Sequence, residues 1–220
     1  MSPTHQHIRQ IIENIQQQGY AIVDDFMETA ATQALADQAK ALKSSGVMHK
    51  ATTGLSKTQS ELRGDFIHWI EASAASPSEQ VYLDAMAELQ QALNQAFFLG
   101  LFELESHFAI YPAGAGYHKH LDQFVGKEER KISCILYLND DWQDADGGQL
   151  RIYLDKQDLD NQSLDNQNLD KQNQAQFLDV LPTGGKLVVF VSSDFIHEVL
   201  PAKRERIAIT GWFRTRSDAI

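Results

Sequence analysis

The change in hydrophobic periodicity partway along the chain limits its fold more than any other sequence feature. Before about residue 100 the apolar residues recur at three- and four-residue intervals, which is typical of amphipathic helices. From about residue 103 onward they fall in short runs separated by Gly, Pro, Asn and Asp, which is typical of strands joined by turns. These runs are LESHFAIYP, KISCILYLND, GQLRIYL, KLVVFV and RIAITGWFR. Helices followed by strands argue against a repeating βαβ sheet and favour helices packed on one face of a β-sandwich.

The N-terminal part predicts three helices. Two of them, at residues 5–18 and 29–42, are separated by a short strand at residues 20–24. A third helix begins near Pro77 and continues to Phe98. Its predicted buried stripe consists of Val81, Ala85, Met86, Leu89, Leu93 and Phe97.

We therefore predict an α+β protein with a mainly β core. The core is a double-stranded β-helix, or jelly roll, at about residues 103–216, and helices at about residues 1–100 buttress it. With 220 residues, of which 43% are hydrophobic and 22% charged, a single domain over residues 1–220 is favoured over two small ones. At about residues 155–176 the repeats LDNQS, LDNQN and LDKQN have a period that matches neither helix nor strand. We predict a mobile polar insert there.

Charge and cysteine content restrict the partners and the compartment. A formal charge of −11 opposes binding to nucleic acid or to an anionic membrane, because both depend on clustered Lys and Arg. The single cysteine, Cys134, excludes an intrachain disulfide and fits a reducing compartment as a core residue. The sequence has neither a signal-type N-terminal run nor about 18 consecutive apolar residues. We expect a cytoplasmic protein with no nucleic-acid or membrane partner.

Three residues are candidate metal ligands. His120 and Asp122 follow the turn-containing segment YPAGAGY, and residues i and i+2 of an extended chain point to the same face. An HxD pair alone is a weak signal, but His197 supplies a third ligand just after the apolar strand KLVVFV. Two imidazoles and a carboxylate on a β scaffold form the facial triad of non-haem Fe(II) oxygenases, although zinc accepts the same ligands. The plainer interpretation of His197 is an ordinary histidine at the end of a strand.

Arg206, at the start of RIAITGWFR, follows His197 by nine residues and can return beside it across a turn. A guanidinium binds a carboxylate through two parallel hydrogen bonds. If the metal is chelated by the 2-oxo acid end of 2-oxoglutarate, a cation is needed for its distal carboxylate. Tyr137, Tyr111 and Thr210 would add hydroxyl groups, while each of them alone is equally typical of a strand core.

The sequence resembles the 2-oxoglutarate-dependent prolyl hydroxylases, in particular the oxygen-sensing enzymes that act on hypoxia-inducible factor and their bacterial relatives. The resemblance covers about residues 63–214. It is carried by six motifs in order: RGDFIHWIE, YPAGAGYHKHLD, ISCILYLNDDW, DGGQLRIY, IHEVLP and RIAITGWF. The chain departs from the family in its polar insert and in Ile196, where a Pro often precedes the histidine.

The resemblance implies a role for each candidate site residue. The catalytic iron would be held by His120, Asp122 and His197, and 2-oxoglutarate by Arg206 and Tyr137. Further contacts are implied to 2-oxoglutarate for Tyr111, Leu150 and Thr210, and to the substrate for Arg63, Asp65, Arg130 and Trp212. Residues 49–62 would be a mobile loop that closes over the substrate.

The resemblance also implies an activity. A protein-bound prolyl residue would be hydroxylated at C4 with Fe(II), 2-oxoglutarate and O2, ascorbate would serve as reductant, and succinate and CO2 would be released. Elongation factor Tu and a ribosomal protein are candidate substrates, since relatives modify such proteins. The alternatives are an oxygenase of a free amino acid or other small molecule, a nucleic-acid demethylase, and a metal-binding β-barrel without catalysis.

Overall fold

The structure, a computed structural model, describes residues 3–51, 63–123, 129–154 and 176–216. The helices in these ranges are α1 (Pro3–Gln18), α2 (Thr29–Ser44) and α3 (Pro77–Phe97), with 3-10 turns at Ala72–Ala74 and Asp144–Asp146. The first strands are β1 (Tyr20–Val23), β2 (His49–Lys50), β3 (Phe66–Trp69), β4 (Glu103–Tyr111) and β5 (Tyr117–His120). The later strands are β6 (Arg130–Tyr137), β7 (Leu150–Tyr153), β8 (Phe177–Val180), β9 (Leu187–Val191), β10 (His197–Val199) and β11 (Arg206–Arg214).

The three predicted helices are confirmed, and their ends follow from the local sequence. α1 ends where Gly19 adopts a φ of 80°, a left-handed conformation that favours glycine. α3 begins with a reciprocal cap. The backbone N–H of Glu79 donates to the Ser76 hydroxyl at 3.2 Å, and the backbone N–H of Ser76 donates to the Glu79 carboxylate at 2.7 Å. Pro77 occupies the first turn, where its missing N–H costs nothing.

The buried face of α3 differs from the predicted stripe at one position. Met86 and Leu89 are buried as predicted, together with Tyr82, but Val81 is 50% exposed. Placing Val81 in the stripe was therefore wrong. Tyr82 precedes Met86 by four residues and Leu89 by seven, so these three share one side of the helix, and Val81 is rotated about 100° from it.

Two antiparallel sheets form the predicted jelly roll. Within the described ranges, the larger sheet has seven strands in the order β1-β9-β6-β11-β4-β3-β2, and the smaller has four in the order β5-β10-β7-β8. Central pairs are long and regular, since β11 pairs with β4 over the whole length of both strands. The mainly β, α+β class is confirmed, and the larger sheet also contains N-terminal strands that were not predicted, β2 and β3.

Side chains alternate between the two faces of the central strands and so form two hydrophobic cores, one on each side of the larger sheet. One side of the larger sheet packs on the helices, and the other faces the smaller sheet. Facing the helices are Phe108, Ile110, Ile132, Cys134, Leu136, Leu187, Val189, Ile207 and Ile209. Facing the smaller sheet are Ala109, Tyr111, Ile135, Tyr137, Val188, Phe190 and Ala208. Arg206 has the same parity as Ala208, so it points into the space between the sheets.

Two predicted segments fall largely outside the described residues. They are the polar insert, apart from Gln176, and positions 52–62 of the predicted closing loop. The single-domain assignment over residues 1–220 stays a prediction. Across the part of the chain that the structure describes, no helix combines the length and the apolar character needed to cross a membrane.

Candidate metal centre and cosubstrate pocket

The three predicted metal ligands converge between the sheets. β10 pairs antiparallel with β5, so that His197 lies directly opposite His120, and Asp122 follows the end of β5. One ligand atom from each residue lies within 4.8 Å of the other two. The Asp122 carboxylate is 3.6 Å from the Nε2 atom of each histidine. The three side chains are thus close enough to reach one ion, and their role as metal ligands stays a prediction.

Backbone carbonyls fix the orientation of both imidazoles. Nδ1 of His120 lies 2.8 Å from the carbonyl of His118, and Nδ1 of His197 lies 3.1 Å from the carbonyl of Phe195. Because a carbonyl can only accept, each Nδ1–H donates and each Nε2 keeps its lone pair. The two Nε2 atoms that face Asp122 are therefore the ones prepared to bind a metal.

Asp122 is held as a carboxylate by its neighbours. The Ser133 hydroxyl donates to it at 2.7 Å and lies 2.8 Å from the hydroxyl of Ser192. Burial alone would raise the pKa of Asp122, but His197, His120 and the bond from Ser133 together hold it well below its usual range. Burial lowers the pKa of His197 to about 4, against the opposing effect of Asp122, so this imidazole is neutral near pH 7. One anion and the nitrogen donors of two imidazoles suit a divalent transition metal.

Arg206 is a buried cation on the side of the larger sheet that faces the smaller one. Its side chain is only 2% exposed, and its Nε–H donates to the carbonyl of Gly148 at 2.9 Å. The guanidinium carbon lies 5.3 Å and 5.0 Å from the ring centroids of Tyr111 and Tyr137. No carboxylate of the described residues forms an ion pair with it. An unpaired buried charge is costly, so this position suits an anionic ligand.

Tyr137 adds a second unsatisfied group to the same pocket. Its hydroxyl is buried without a hydrogen-bond partner in the described structure. Burial raises the pKa of Tyr137 to about 12, although Arg206 acts in the opposite direction, so the hydroxyl remains a neutral donor at pH 7. Leu150 is buried in the same cluster as Tyr111 and Tyr137, and Thr210 follows Arg206 on the same face of β11. The five residues predicted to contact 2-oxoglutarate therefore all face the space between the two sheets.

Comparison with known proteins identifies the family. The 2OG-Fe(II) oxygenase superfamily matches residues 106–214, which include every ligand and pocket residue described above. A Pseudomonas putida prolyl-4-hydroxylase structure superposes with a TM-score of 0.81 and 37% identity, over 96% of this chain and 100% of that one. The chain belongs to the 2OG-Fe(II) oxygenase superfamily. Proteins of this superfamily use Fe(II), 2-oxoglutarate and O2, so these predicted cofactors are confirmed.

Two further relatives extend the similarity within the 2OG-Fe(II) oxygenases. Human Egl nine homolog 1 is 30% identical over 213 residues, which is 92% of this chain and 45% of that protein. This chain thus spans about half the length of the curated relatives that it first matches. A Trichoplax adhaerens prolyl hydroxylase in complex with a hypoxia-inducible-factor peptide fragment has the same fold, with a TM-score of 0.79 at 23% identity, over 96% of this chain and 90% of that one.

The residues of this oxygenase fit both groups that the superfamily binds. Asp122 and two oriented imidazoles can take iron, and the unpaired Arg206 with the unsatisfied Tyr137 can take the distal carboxylate of 2-oxoglutarate.

The predicted substrate residues divide into two pairs. Arg63 donates to both oxygens of Asp65 at 2.6 Å and 2.8 Å, and the Asp65 side chain is fully buried. Arg63 also lies 5.0 Å from the ring centroid of Tyr117. In the second pair, Arg130 lies 3.6 Å over the ring of Trp212, which is buried. The buried Asp65 carboxylate can therefore act on a substrate only through Arg63.

Sequence analysis missed several residues that support this site. Ser133 alternates with Ile132 and Cys134 along β6, and that alternation could have placed its hydroxyl on the interior face. His107 accepts a hydrogen bond at Nε2 from Arg63 at 3.2 Å, a contact between distant segments with no local signal. Tyr117 stacks on the His120 ring with centroids 3.7 Å apart.

Proposed function

We propose that this oxygenase hydroxylates C4 of a prolyl residue in a protein substrate, consuming O2 and 2-oxoglutarate and releasing succinate and CO2. The observation that carries the proposal is a buried Arg206, without an ion-pair partner among the described carboxylates, facing the same space between the sheets as three convergent metal ligands. It supports a cosubstrate with a second carboxylate and distinguishes this interior from a metal-binding barrel without catalysis. The match to a prolyl-4-hydroxylase over the whole of that chain supports the prolyl class.

In this proposal each residue of the site has a binding or positioning role. His120, Asp122 and His197 would hold Fe(II). Arg206 binds the distal carboxylate of 2-oxoglutarate through two N–H groups, and Tyr137 donates its hydroxyl. Tyr111, Leu150 and Thr210 shape the pocket around the chain of the cosubstrate. When bound, iron and 2-oxoglutarate supply the oxidising chemistry, while the protein orients the reactants and excludes water.

The substrate side of the proposal rests on Arg63, Arg130 and Trp212. Arg63, oriented by Asp65, and Arg130 have N–H groups suited to peptide carbonyls, and the buried Trp212 ring supports the Arg130 guanidinium that lies over it. The Trichoplax relative, which was solved with a peptide, supports a peptide substrate. Elongation factor Tu and a ribosomal protein are our candidate substrates. We also propose a cytoplasmic location and ascorbate as the reductant.

Succinate release measured with different proline compounds tests the proposal. The Fe(II)-loaded protein is incubated with 2-oxoglutarate, O2 and proline-containing peptides from the candidate substrates, and free proline is assayed in parallel. We expect a peptide to stimulate succinate release and to gain one oxygen atom on its proline, as measured by mass spectrometry. The Asp122→Ala variant controls for succinate that forms without the metal site. Hydroxylation of free proline at a comparable rate would replace the peptide assignment with the small-molecule alternative.

A further inference from the structure

The backbone turn at Gly147 and Gly148, just before β7, holds Arg206 in place. The Gly148 carbonyl accepts from Nε–H of Arg206 at 2.9 Å. That contact occupies one edge of the planar guanidinium and leaves the paired terminal N–H groups for a ligand. The orientation of the cation is therefore defined by where this turn places one carbonyl oxygen.

The space around Gly148 admits no larger residue. Its φ of 73° is a left-handed conformation that side chains rarely adopt. A Cβ on Gly148 would lie 2.9 Å from Cβ of Ala202, 3.1 Å from the ring of Trp142 and 3.4 Å from Cδ of Arg206. The Cβ of Ala202 is fixed to its own backbone, so relief of that contact requires backbone to move, and a movement at Gly148 carries the carbonyl that Arg206 binds.

Trp142 fixes the other side of the turn. Its indole N–H donates to the carbonyl of Gly147 at 2.9 Å, and the side chain is buried. Arg204 covers the indole ring, with its guanidinium carbon 4.4 Å from the ring centroid. The backbone N–H of Gly148 donates to Pro201 at 3.1 Å, so the turn is anchored on both sides.

We propose that Gly148 and Trp142 are positioning residues that aim Arg206 at the distal carboxylate and thereby determine the preference for 2-oxo diacids over 2-oxo monoacids. The inference rests on the proposed function, because it takes Arg206 to be the carboxylate receptor. Gly148 sets the carbonyl that orients the guanidinium, and Trp142 holds the preceding peptide. In this proposal both residues act on the ligand through Arg206.

Calorimetric binding of two 2-oxo acids to the Fe(II)-loaded protein without O2 tests this role. 2-Oxoglutarate carries the second carboxylate, and 2-oxobutyrate has the same chelating end without it. In Gly148→Ala we expect 2-oxoglutarate to bind about tenfold more weakly, as for a weakened charge-assisted hydrogen bond, and 2-oxobutyrate to bind within about twofold of wild type. Trp142→Phe keeps an aromatic ring at this position and removes the N–H, and a smaller change in the same direction is expected.

Gly100→Ala is the matched control. Gly100 also has a left-handed φ, 66°, but no heavy atom lies within 4 Å of its would-be Cβ. Gly100→Ala introduces the same backbone strain without a steric contact. The ratio of the affinities for 2-oxoglutarate and 2-oxobutyrate should therefore stay at the wild-type value. If Gly148→Ala does not fold, Trp142→Phe decides alone.

Repeating the binding measurements in the Arg206→Ala variant separates the positioning role from the proposed function. In that background Gly148→Ala should change neither affinity further. If Arg206→Ala leaves the preference for 2-oxoglutarate intact, the cosubstrate assignment itself is wrong. If Arg206→Ala removes the preference while Gly148→Ala and Trp142→Phe retain it, or weaken both acids equally, the positioning role is wrong and the proposed function stands.

Discussion

The metal ligands and the cosubstrate pocket face the same interior but are built differently. His120 and His197 lie on β5 and β10, strands of four and three residues whose pairing has a register irregularity. Arg206 and Tyr137 lie on β11 and β6, strands of nine and eight residues in the centre of the larger sheet. The positions of the ligands therefore depend on individual side-chain hydrogen bonds, whereas the backbone at Arg206 and Tyr137 is fixed by a continuous sheet.

The largest expected effect comes from removing Asp122, the anionic member of the metal-ligand cluster. Asp122→Ala should reduce succinate formation to background, because two imidazoles alone bind Fe(II) weakly. The fold should persist, since the larger sheet does not depend on this carboxylate. Coupled succinate assays and circular dichroism measure the two outcomes. Asp37→Ala, which removes an exposed carboxylate on α2, is the control and should retain full activity. Full turnover by Asp122→Ala would overturn the iron-site assignment.

The second largest effect is expected from a change in the cosubstrate pocket that leaves the three metal ligands intact. Arg206→Ala should raise the KM for 2-oxoglutarate about a hundredfold, because two charge-assisted hydrogen bonds to the distal carboxylate are lost. Iron affinity, measured by metal titration, should be nearly unchanged. Lys203→Ala removes an exposed cation three residues away and serves as the control. An unchanged KM in Arg206→Ala would count against the role of Arg206.

A smaller effect tests whether the ligand region needs its side-chain supports. Ser133→Ala removes the hydroxyl that donates to Asp122, and loss of such a support typically lowers metal affinity about 10- to 100-fold. We expect the lower end of that range, because the histidines keep their carbonyl partners. Iron titration of Ser133→Ala against Ser193→Ala, whose hydroxyl donates to Asp194 instead, measures the difference. Equal affinity in the two variants would mean that Asp122 is oriented without Ser133.

The smallest expected effect concerns neither region. Deleting residues 159–173 should change the free energy of unfolding by less than about 1 kcal/mol, because polar repeats bury little apolar area and loop closure depends weakly on length. Thermal denaturation of the deletion variant measures this. A large fall in melting temperature would mean that the repeats contribute to the folded core.

Sequence alone predicted the parts of this protein that depend on local pattern and residue chemistry. The alternation in RIAITGWFR and ISCILYLND is strong enough to define central strands, and His120, Asp122 and His197 are recognisable as a donor set. Arg206 could be predicted because a cation at the start of an apolar strand, close in sequence to a metal ligand, is costly to bury unless it binds an anion.

The remaining features depend on pairing between distant segments. β5 runs from Tyr117 to His120 opposite Val199 to His197, so three residue steps are matched to two, and this bulge turns His120 onto the face of Tyr117. A strict two-residue alternation puts these two side chains on opposite faces. The contact of Arg63 with His107 likewise joins positions 44 residues apart and leaves no mark in either local sequence.

The two-sided central strands also restrict where this chain can change in length. One residue inserted within β11 would exchange the parity of Arg206 and Ile207, sending a cation toward the helices and an isoleucine toward the cosubstrate. An insertion between β7 and β8 meets no such constraint, because β8 is the outer strand of the smaller sheet and pairs on one side only among the described strands. The long polar repeat follows β7 and precedes β8, so the chain carries its extra length where no register has to be preserved.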